Sequence, residues 1–156
     1  MIKIEIPGRE IIQVEYLVLD YNGTLAIDGI LIPGVEERLN RLADKVTIHV
    51  VTADTFGKAK RSLNDIRCSC EVIHGKNHQQ YKKEFVSQLG AEKVIAIGNG
   101  LNDALMVKEA ALGIVLIQAE GASVKTLMNA DIVCPTILEA LDLLHNPLRI
   151  TATLRV

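Results

Sequence analysis

The sequence holds no tryptophan, and aromatic residues make up only 3% of its 156 positions. Hydrophobic residues nevertheless reach 49%, so any core has to be aliphatic, built from Val, Ile, Leu and Ala. That composition suits a parallel sheet covered by helices, whose central strands read as continuous apolar runs. Cysteine is scarce. Cys68, Cys70 and Cys134 form no even disulfide framework, and their number fits a reducing compartment. Cys68-Ser69-Cys70 is half of a soft-metal pattern, but no second pair stands at ligand spacing, so these read as reduced structural thiols. No apolar run approaches the roughly 18 residues that a membrane span requires. The first five residues alternate apolar and charged types, unlike a signal peptide. A cytoplasmic location is the expectation. Charge of one sign is lacking too: the formal net charge is −2, which gives no footing for nucleic acid or an acidic membrane surface. There is no internal repeat and no low-complexity segment.

What is present is a steady alternation of apolar runs and amphipathic stretches, the pattern of an α/β domain. The length suits a single domain over residues 1–156. Strands are expected at residues 2–6, at 14–19 leading into Asp20, at 46–51 ending on Thr52, and at 70–73, 94–97, 113–117 and 131–133. Residues 23–32, punctuated by Asp28-Gly29, predict a turn or small hairpin. Helices are expected at 35–42, at 56–63 with Asp54 as N-cap, at 81–89 stopping on Gly90, and at 102–110, 122–128 and 135–144, the last with Pro135 near its first turn. His74 and His78 read as loop residues, and Met106 and Met128 as core. Residues 149–156 alternate weakly, as an edge strand or tail would. The β-α-β order implies right-handed crossovers and an open, mostly parallel sheet. In such sheets ligands bind at the carboxyl ends of the strands.

Three strands end in polar or glycine-rich sequence at that place. One runs into Asp20-Tyr21-Asn22-Gly23-Thr24, another into Thr52-Ala53-Asp54, and a third into Gly98-Asn99-Gly100-Leu101-Asn102-Asp103. Lys82 and Lys83 open a helix that would pack beside the same end, with Lys76 just upstream. A carboxylate after an apolar strand is a competent nucleophile toward phosphorus, giving an aspartyl-phosphate. Oxygen donors suit Mg²⁺. A lysine and a threonine can neutralise and hydrogen-bond a phosphoryl group in transfer.

Taken together, these segments resemble the four motifs of the haloacid dehalogenase superfamily. Asp20-Tyr-Asn-Gly-Thr-Leu25 is similar to the first, Thr52 to the second, Lys82 to the third and Gly98-Asn-Gly-Leu-Asn-Asp103 to the fourth. They occur in the family's order across residues 14–145. The C-terminal half, from Asn102-Asp-Ala-Leu-Met to Ala130-Asp-Ile-Val133, looks most like the phosphorylation domain of P-type ATPases. The resemblance implies a three-layer Rossmann-like fold with a small flap hairpin after the first motif. It implies that Asp20 is the nucleophile, with Asn22, Thr52 and Lys82 as its catalytic neighbours. Gly23, Thr52, Ala53 and Lys82 would bind phosphate. Asp20, the Asn22 carbonyl, Asn99 and Asp103 would hold Mg²⁺.

Two positions depart from the family pattern. Asn22 stands where an Asp usually serves as general acid and base, and an amide cannot shuttle a proton. Asn99 stands where a metal-binding Asp is usual. Hydrolysis of a phosphomonoester is therefore one expectation, and a slow, regulatory phosphate-binding or phosphoacceptor module is the other. The gaps from Leu25 to Thr52 and from Thr52 to Lys82 are too short for a cap domain. The site should be open, or covered by a neighbouring subunit, admitting a small phosphorylated substrate or a phosphorylated macromolecule. Apolar residues at Ile27, Ile30, Leu31 and Ile32 would suit contact with a second subunit in a dimer or tetramer.

Overall fold

A computed structural model describes residues 1–53 and 57–156; Asp54 and Phe56, assigned above to a helix N-terminus, lie outside the described residues. The chain opens with strands β1 (Ile2–Ile4) and β2 (Ile12–Val14), an antiparallel pair of its own. Strand β3 (Tyr16–Leu19) follows after a single residue. A two-stranded hairpin, β4 (Ala26–Ile27) and β5 (Ile30–Leu31), leads to helix α1 (Val35–Leu42) and strand β6 (Thr47–Thr52). Then come α2 (Lys58–Ser62), β7 (Ser69–Val72), α3 (His78–Leu89) and β8 (Val94–Gly98). A short 3₁₀ turn (Leu101–Asp103) runs into α4 (Ala104–Glu109), followed by β9 (Leu112–Leu116), α5 (Val124–Asn129), β10 (Ile132–Cys134), α6 (Ile137–His145) and α7 (Pro147–Leu154).

Six strands form one sheet in the order β10-β9-β8-β3-β6-β7, and every pair is parallel. Its period-two pattern sorts the core into two layers. Leu17 and Leu19 of β3, with Ile95 and Ile97 of β8, pack among Leu39 of α1 and Leu141 of α6. Val18 and Ala96 point the other way, to Val86 of α3 and Met106 and Val107 of α4. This is the three-layer α/β arrangement expected. Between β3 and α1 stands only the hairpin, and between β6 and α3 only α2 and β7 among the described residues, so no cap domain is inserted.

α1 shows how local sequence sets an element. Val35, Leu39 and Leu42 share one buried face, and Glu36 and Glu37 occupy the first turn, where the helix dipole favours acidic groups. The Arg38 guanidinium ties this helix to Asp142 of α6 at 2.8 Å.

Several expected boundaries move. The run 14–19 is two strands, because Val14 pairs with Ile2 in the separate hairpin. α3 begins three residues early: the Asn77 side chain accepts a hydrogen bond from the Gln80 amide, so His78 is the first helical residue and not part of a loop. Pro135 stands just before the N-cap of α6, which begins at Ile137 and not at 135. Thr136 is the cap, its hydroxyl accepting from the Glu139 amide and donating to the Glu139 carboxylate. Residues 147–154 are helical, not an edge strand or tail. Pro147 opens the helix at a position where its missing N–H costs nothing, and Ile150 fixes it against the core. Met106 is buried, but Met128 is 75% exposed on α5 and forms no part of the core. Of the hairpin's apolar residues only Ile30 is widely exposed; Leu31 and Ile32 pack on the core. Among the described residues no helix is long and apolar enough to cross a membrane.

Candidate active site

β8, β3 and β6 are sheet neighbours running in parallel, so their carboxyl ends meet at one edge. Asp20 follows β3 directly, and its amide donates to the Ile97 carbonyl of β8 at 3.0 Å. Its side chain is only 6% exposed. Thr52, the last residue of β6, is buried beside it in the sheet order, and Ala53 follows, half-buried.

α3 carries Lys82 into this end. The lysine is fully buried, and its Nζ donates to Asp20 Oδ1 and to Asp103 Oδ1, each at 2.6 Å. Lys83, one residue on, is part-exposed and stands 3.6 Å from Glu109; Lys76 is exposed. The lysine brought to Asp20 is therefore Lys82.

Asp103 is fully buried and both its oxygens are engaged. Oδ1 takes Lys82, and Oδ2 accepts the amides of Asn99 and Gly100 at 3.0 and 2.9 Å. It anchors the lysine and closes the loop after β8, and Oδ1, with a single hydrogen bond, keeps a further lone pair. A side chain at position 98 would put its Cβ 2.5 Å from the Asp103 Cγ, which explains the glycine at the end of β8.

The turn after Asp20 is drawn in around the Tyr21 carbonyl, which accepts from Leu25 and Ala26 at 2.9 and 3.0 Å. Gly23 has φ +79°, in the left-handed region, and its N–H donates to the Ala26 carbonyl at 2.7 Å. That N–H is thus used within the turn. Asn22 is exposed. The buried Thr24 hydroxyl lies 3.4 Å from both Asp20 Oδ2 and Asn99 Oδ1. Asn99 in turn donates from Nδ2 to the Gly121 carbonyl at 2.9 Å.

Two residues outside the expected set belong to this framework. Thr24 lies within the first motif, yet only the structure reveals its hydroxyl between the two oxygens. Gln118 donates from Nε2 to the carbonyls of Gly23 and Thr24, both at 2.9 Å. Its signal in the sequence is a polar residue closing the apolar run 112–117, the same kind of strand-end signal that marks Asp20 and Thr52.

Burial is the largest influence on Asp20, pushing its carboxyl up to about 6; the nearby Asp103 charge adds to this, while Lys82 and the Tyr21 N–H pull it back. For Lys82, burial alone would favour the neutral amine, but Asp20 and Asp103 outweigh it and hold the ammonium above the usual lysine range. The three groups carry one net negative charge.

No cluster of three His, Cys, Asp or Glu side chains occurs among the described residues. The donors gathered here, Asp20 Oδ2 and Asn99 Oδ1 on either side of one hydroxyl and Asp103 Oδ1 beyond Lys82, are all oxygens. That donor set fits a hard, oxygen-preferring divalent cation and not a soft metal.

The haloacid dehalogenase-like hydrolase family matches residues 3–111. The chain belongs to that family. This haloacid dehalogenase-like hydrolase is 55% identical over 77 residues to an uncharacterised protein of Methanocaldococcus jannaschii, a stretch covering 49% of this chain and 78% of that one. A second uncharacterised protein of the same organism is 46% identical over 39 residues, 25% of this chain and 89% of that one. Among solved structures, the hydrolase superposes on 3-deoxy-D-manno-octulosonate 8-phosphate phosphatase from Moraxella catarrhalis, crystallised with magnesium, phosphate and the sugar acid. The TM-score is 0.68 at 18% identity, covering 89% of this chain and 90% of that one. The cobalt-bound enzyme of the same name from Haemophilus influenzae gives 0.70 at 14% identity, covering 92% and 94%. An apo phosphoserine phosphatase gives 0.64 at 14%, covering 83% and 98%. At such identities the shared property is the fold.

Proposed function

We propose that this hydrolase is a Mg²⁺-dependent phosphatase that acts on a small phosphomonoester through an aspartyl-phosphate on Asp20. The observation that carries this is the buried Asp20–Lys82–Asp103 array at the common end of three parallel strands. A buried carboxylate paired with a buried lysine supports a nucleophile's role over that of a turn cap, and electrostatic preorganisation of this kind is the main lever in phosphoryl transfer.

An Asp20 carboxylate oxygen forms a bond to phosphorus as the ester P–O bond breaks. The electron pair leaves on the ester oxygen, which takes a proton from water. Lys82 would balance charge on the transferring group, and Thr52 and Ala53 at the end of β6 would receive its oxygens. Water then attacks the acyl-phosphate, releasing phosphate and restoring the carboxylate. Mg²⁺, held by Asp20, Asn99, Asp103 and the Asn22 carbonyl, would neutralise the phosphate and align it. The chain's own residues keep Asp20 dry, oriented and partly charge-compensated throughout.

The absence of a cap leaves the site open, and the fold is shared with an enzyme crystallised with phosphate and a sugar acid. The open site admits a small or a large phosphorylated substrate, and the shared fold favours a small anionic phosphorylated metabolite. A second reading, a slowly turning-over phosphoacceptor, is favoured by Asn22. This exposed amide replaces the group that would pass a proton to the leaving oxygen. Turnover of an aryl phosphate with Mg²⁺, compared with Asp20→Asn, tests the first reading; equal rates in the two proteins overturn it. A stable acyl-phosphate on Asp20 with negligible turnover selects the second.

A further inference from the structure

The loop after β9 carries no motif, yet it reaches three parts of the site. Gln118 is its centre. Its amide uses both protons on the turn that follows the nucleophile, one on the Gly23 carbonyl and one on the Thr24 carbonyl. Its Oε1 accepts from the Ile137 N–H at the start of α6, at 2.8 Å. Two residues on, Glu120 accepts the Asp28 N–H at the tip of the hairpin, and the Gly121 carbonyl receives the Asn99 side chain.

The carbonyls that Gln118 takes up have no other described partner, and the residues that own them are buried. Leaving such groups unpaired costs more than the bonds themselves return. The Gly23–Thr24 backbone therefore sits where Gln118 holds it. That backbone fixes the Thr24 hydroxyl between Asp20 Oδ2 and Asn99 Oδ1. It also seats the α-carbon of Gly23 against the Asn99 amide. A side chain anchored on β9 and α6 thus sets the spacing between the nucleophile and the neighbouring oxygen donor.

We infer that Gln118 is a positioning residue for the nucleophile turn, acting on Asp20 through Thr24 and Gly23 without touching substrate. The inference rests on the phosphatase reading for its kinetic consequence, but its structural content can be measured in the resting protein. A purely structural Gln118 would serve only the N-terminus of α6. Thr136→Ala, which removes that helix's cap, imitates such a role and supplies the control.

The experiment compares Gln118→Met, Gln118→Glu and Thr136→Ala with the parent protein. Gln118→Glu keeps the acceptor for Ile137 and loses both donors to the turn, so it also serves if Gln118→Met fails to fold. Amide hydrogen exchange by NMR, in the metal-free protein, reads the turn directly. Loss of the donors should speed exchange at Leu25 and Ala26 by about tenfold or more, while β8 amides keep the parent rate. With an aryl phosphate, kcat should fall about tenfold or more with KM changed less than about threefold, since the substrate is not touched. Thr136→Ala should lower Tm but leave turn exchange and kcat alone. Parent-like exchange in a folded Gln118→Glu protein overturns the inference whether or not the chain is a phosphatase. Altered exchange with no turnover even in the parent protein overturns the phosphatase reading and leaves the positioning role standing.

Discussion

The Asn99 side chain lies across the α-carbon of Gly23, so that a Cβ there would come within 2.4 Å of Asn99 Nδ2. The glycine also has φ +79°, and two separate costs therefore fall on any replacement. Gly29, in the hairpin turn, has φ +77° but nothing within 4 Å of its would-be Cβ. Gly29→Ala should cost only the left-handed backbone, about 1–2 kcal/mol. Gly23→Ala should cost at least about 1 kcal/mol more, from overpacking, and should abolish turnover. Urea denaturation of the two variants checks the difference; equal losses would mean that Asn99 moves aside freely.

Lys82 is the shared ion-pair partner of two buried carboxylates, so its removal strands both. Lys82→Met should destabilise the protein by about 3–5 kcal/mol, and it should raise the Asp20 carboxyl further. Lys83→Met, at a part-exposed pair, should stay within about 0.5 kcal/mol. Denaturation curves for the two variants, run side by side, separate the two lysines.

The pH dependence follows from Asp20, whose carboxyl rises from 3.8 to about 6 on folding, chiefly through burial. Between those values the unfolded chain has lost its proton while the folded chain keeps it. Stability should therefore fall as pH rises from about 4 to 6, by about 3 kcal/mol in all, and this contribution should be level above that. Lys82, raised instead, supports folding throughout this range and loses its contribution only in strong alkali. Asp20→Asn should flatten the slope between pH 4 and 6 in thermal or urea unfolding. Attack requires the carboxylate, so turnover at low Mg²⁺ should show an acid limb near pH 6. Saturating Mg²⁺ should move that limb lower, because the cation competes with the proton.

Asn22 is exposed at the mouth and takes no part in the core. Asn22→Asp should therefore fold normally and restore a proton-transfer group. Decay of a radiolabelled acyl-phosphate should quicken by about 10²-fold. An unchanged decay rate would show that proton transfer is not the slow step.

Much of this arrangement is legible in the sequence because each signal is local. Asp20, Thr52 and Gly98 end apolar runs that become adjacent parallel strands, and Val35, Leu39 and Leu42 declare the α1 face. The misreadings arise where a long-range partner decides. Val14 looks continuous with β3 but pairs backwards with Ile2. Ile150 and Leu154 of the final helix read as alternation until Pro147 is taken as a helix opening. Asp103 is legible as a site residue, but its bonds to Lys82, 21 residues away, and to two backbone amides are not. Gln118 is a plain polar residue until the chain folds and brings it to a turn more than 90 residues earlier, with separations of 95 and 94.

Those separations bear on how the protein comes into being. Asp20 meets Lys82 across 62 residues, and Thr24 meets Asn99 across 75. Contacts so distant in the chain form late, after the loop entropy between them has been overcome. During synthesis the nucleophile leaves the ribosome long before the lysine, the loop after β8 or Gln118 exists to organise it. A chain caught partway holds Asp20 as an ordinary carboxylate, and the buried array around it arrives only once Lys82 and Asp103 have joined the fold.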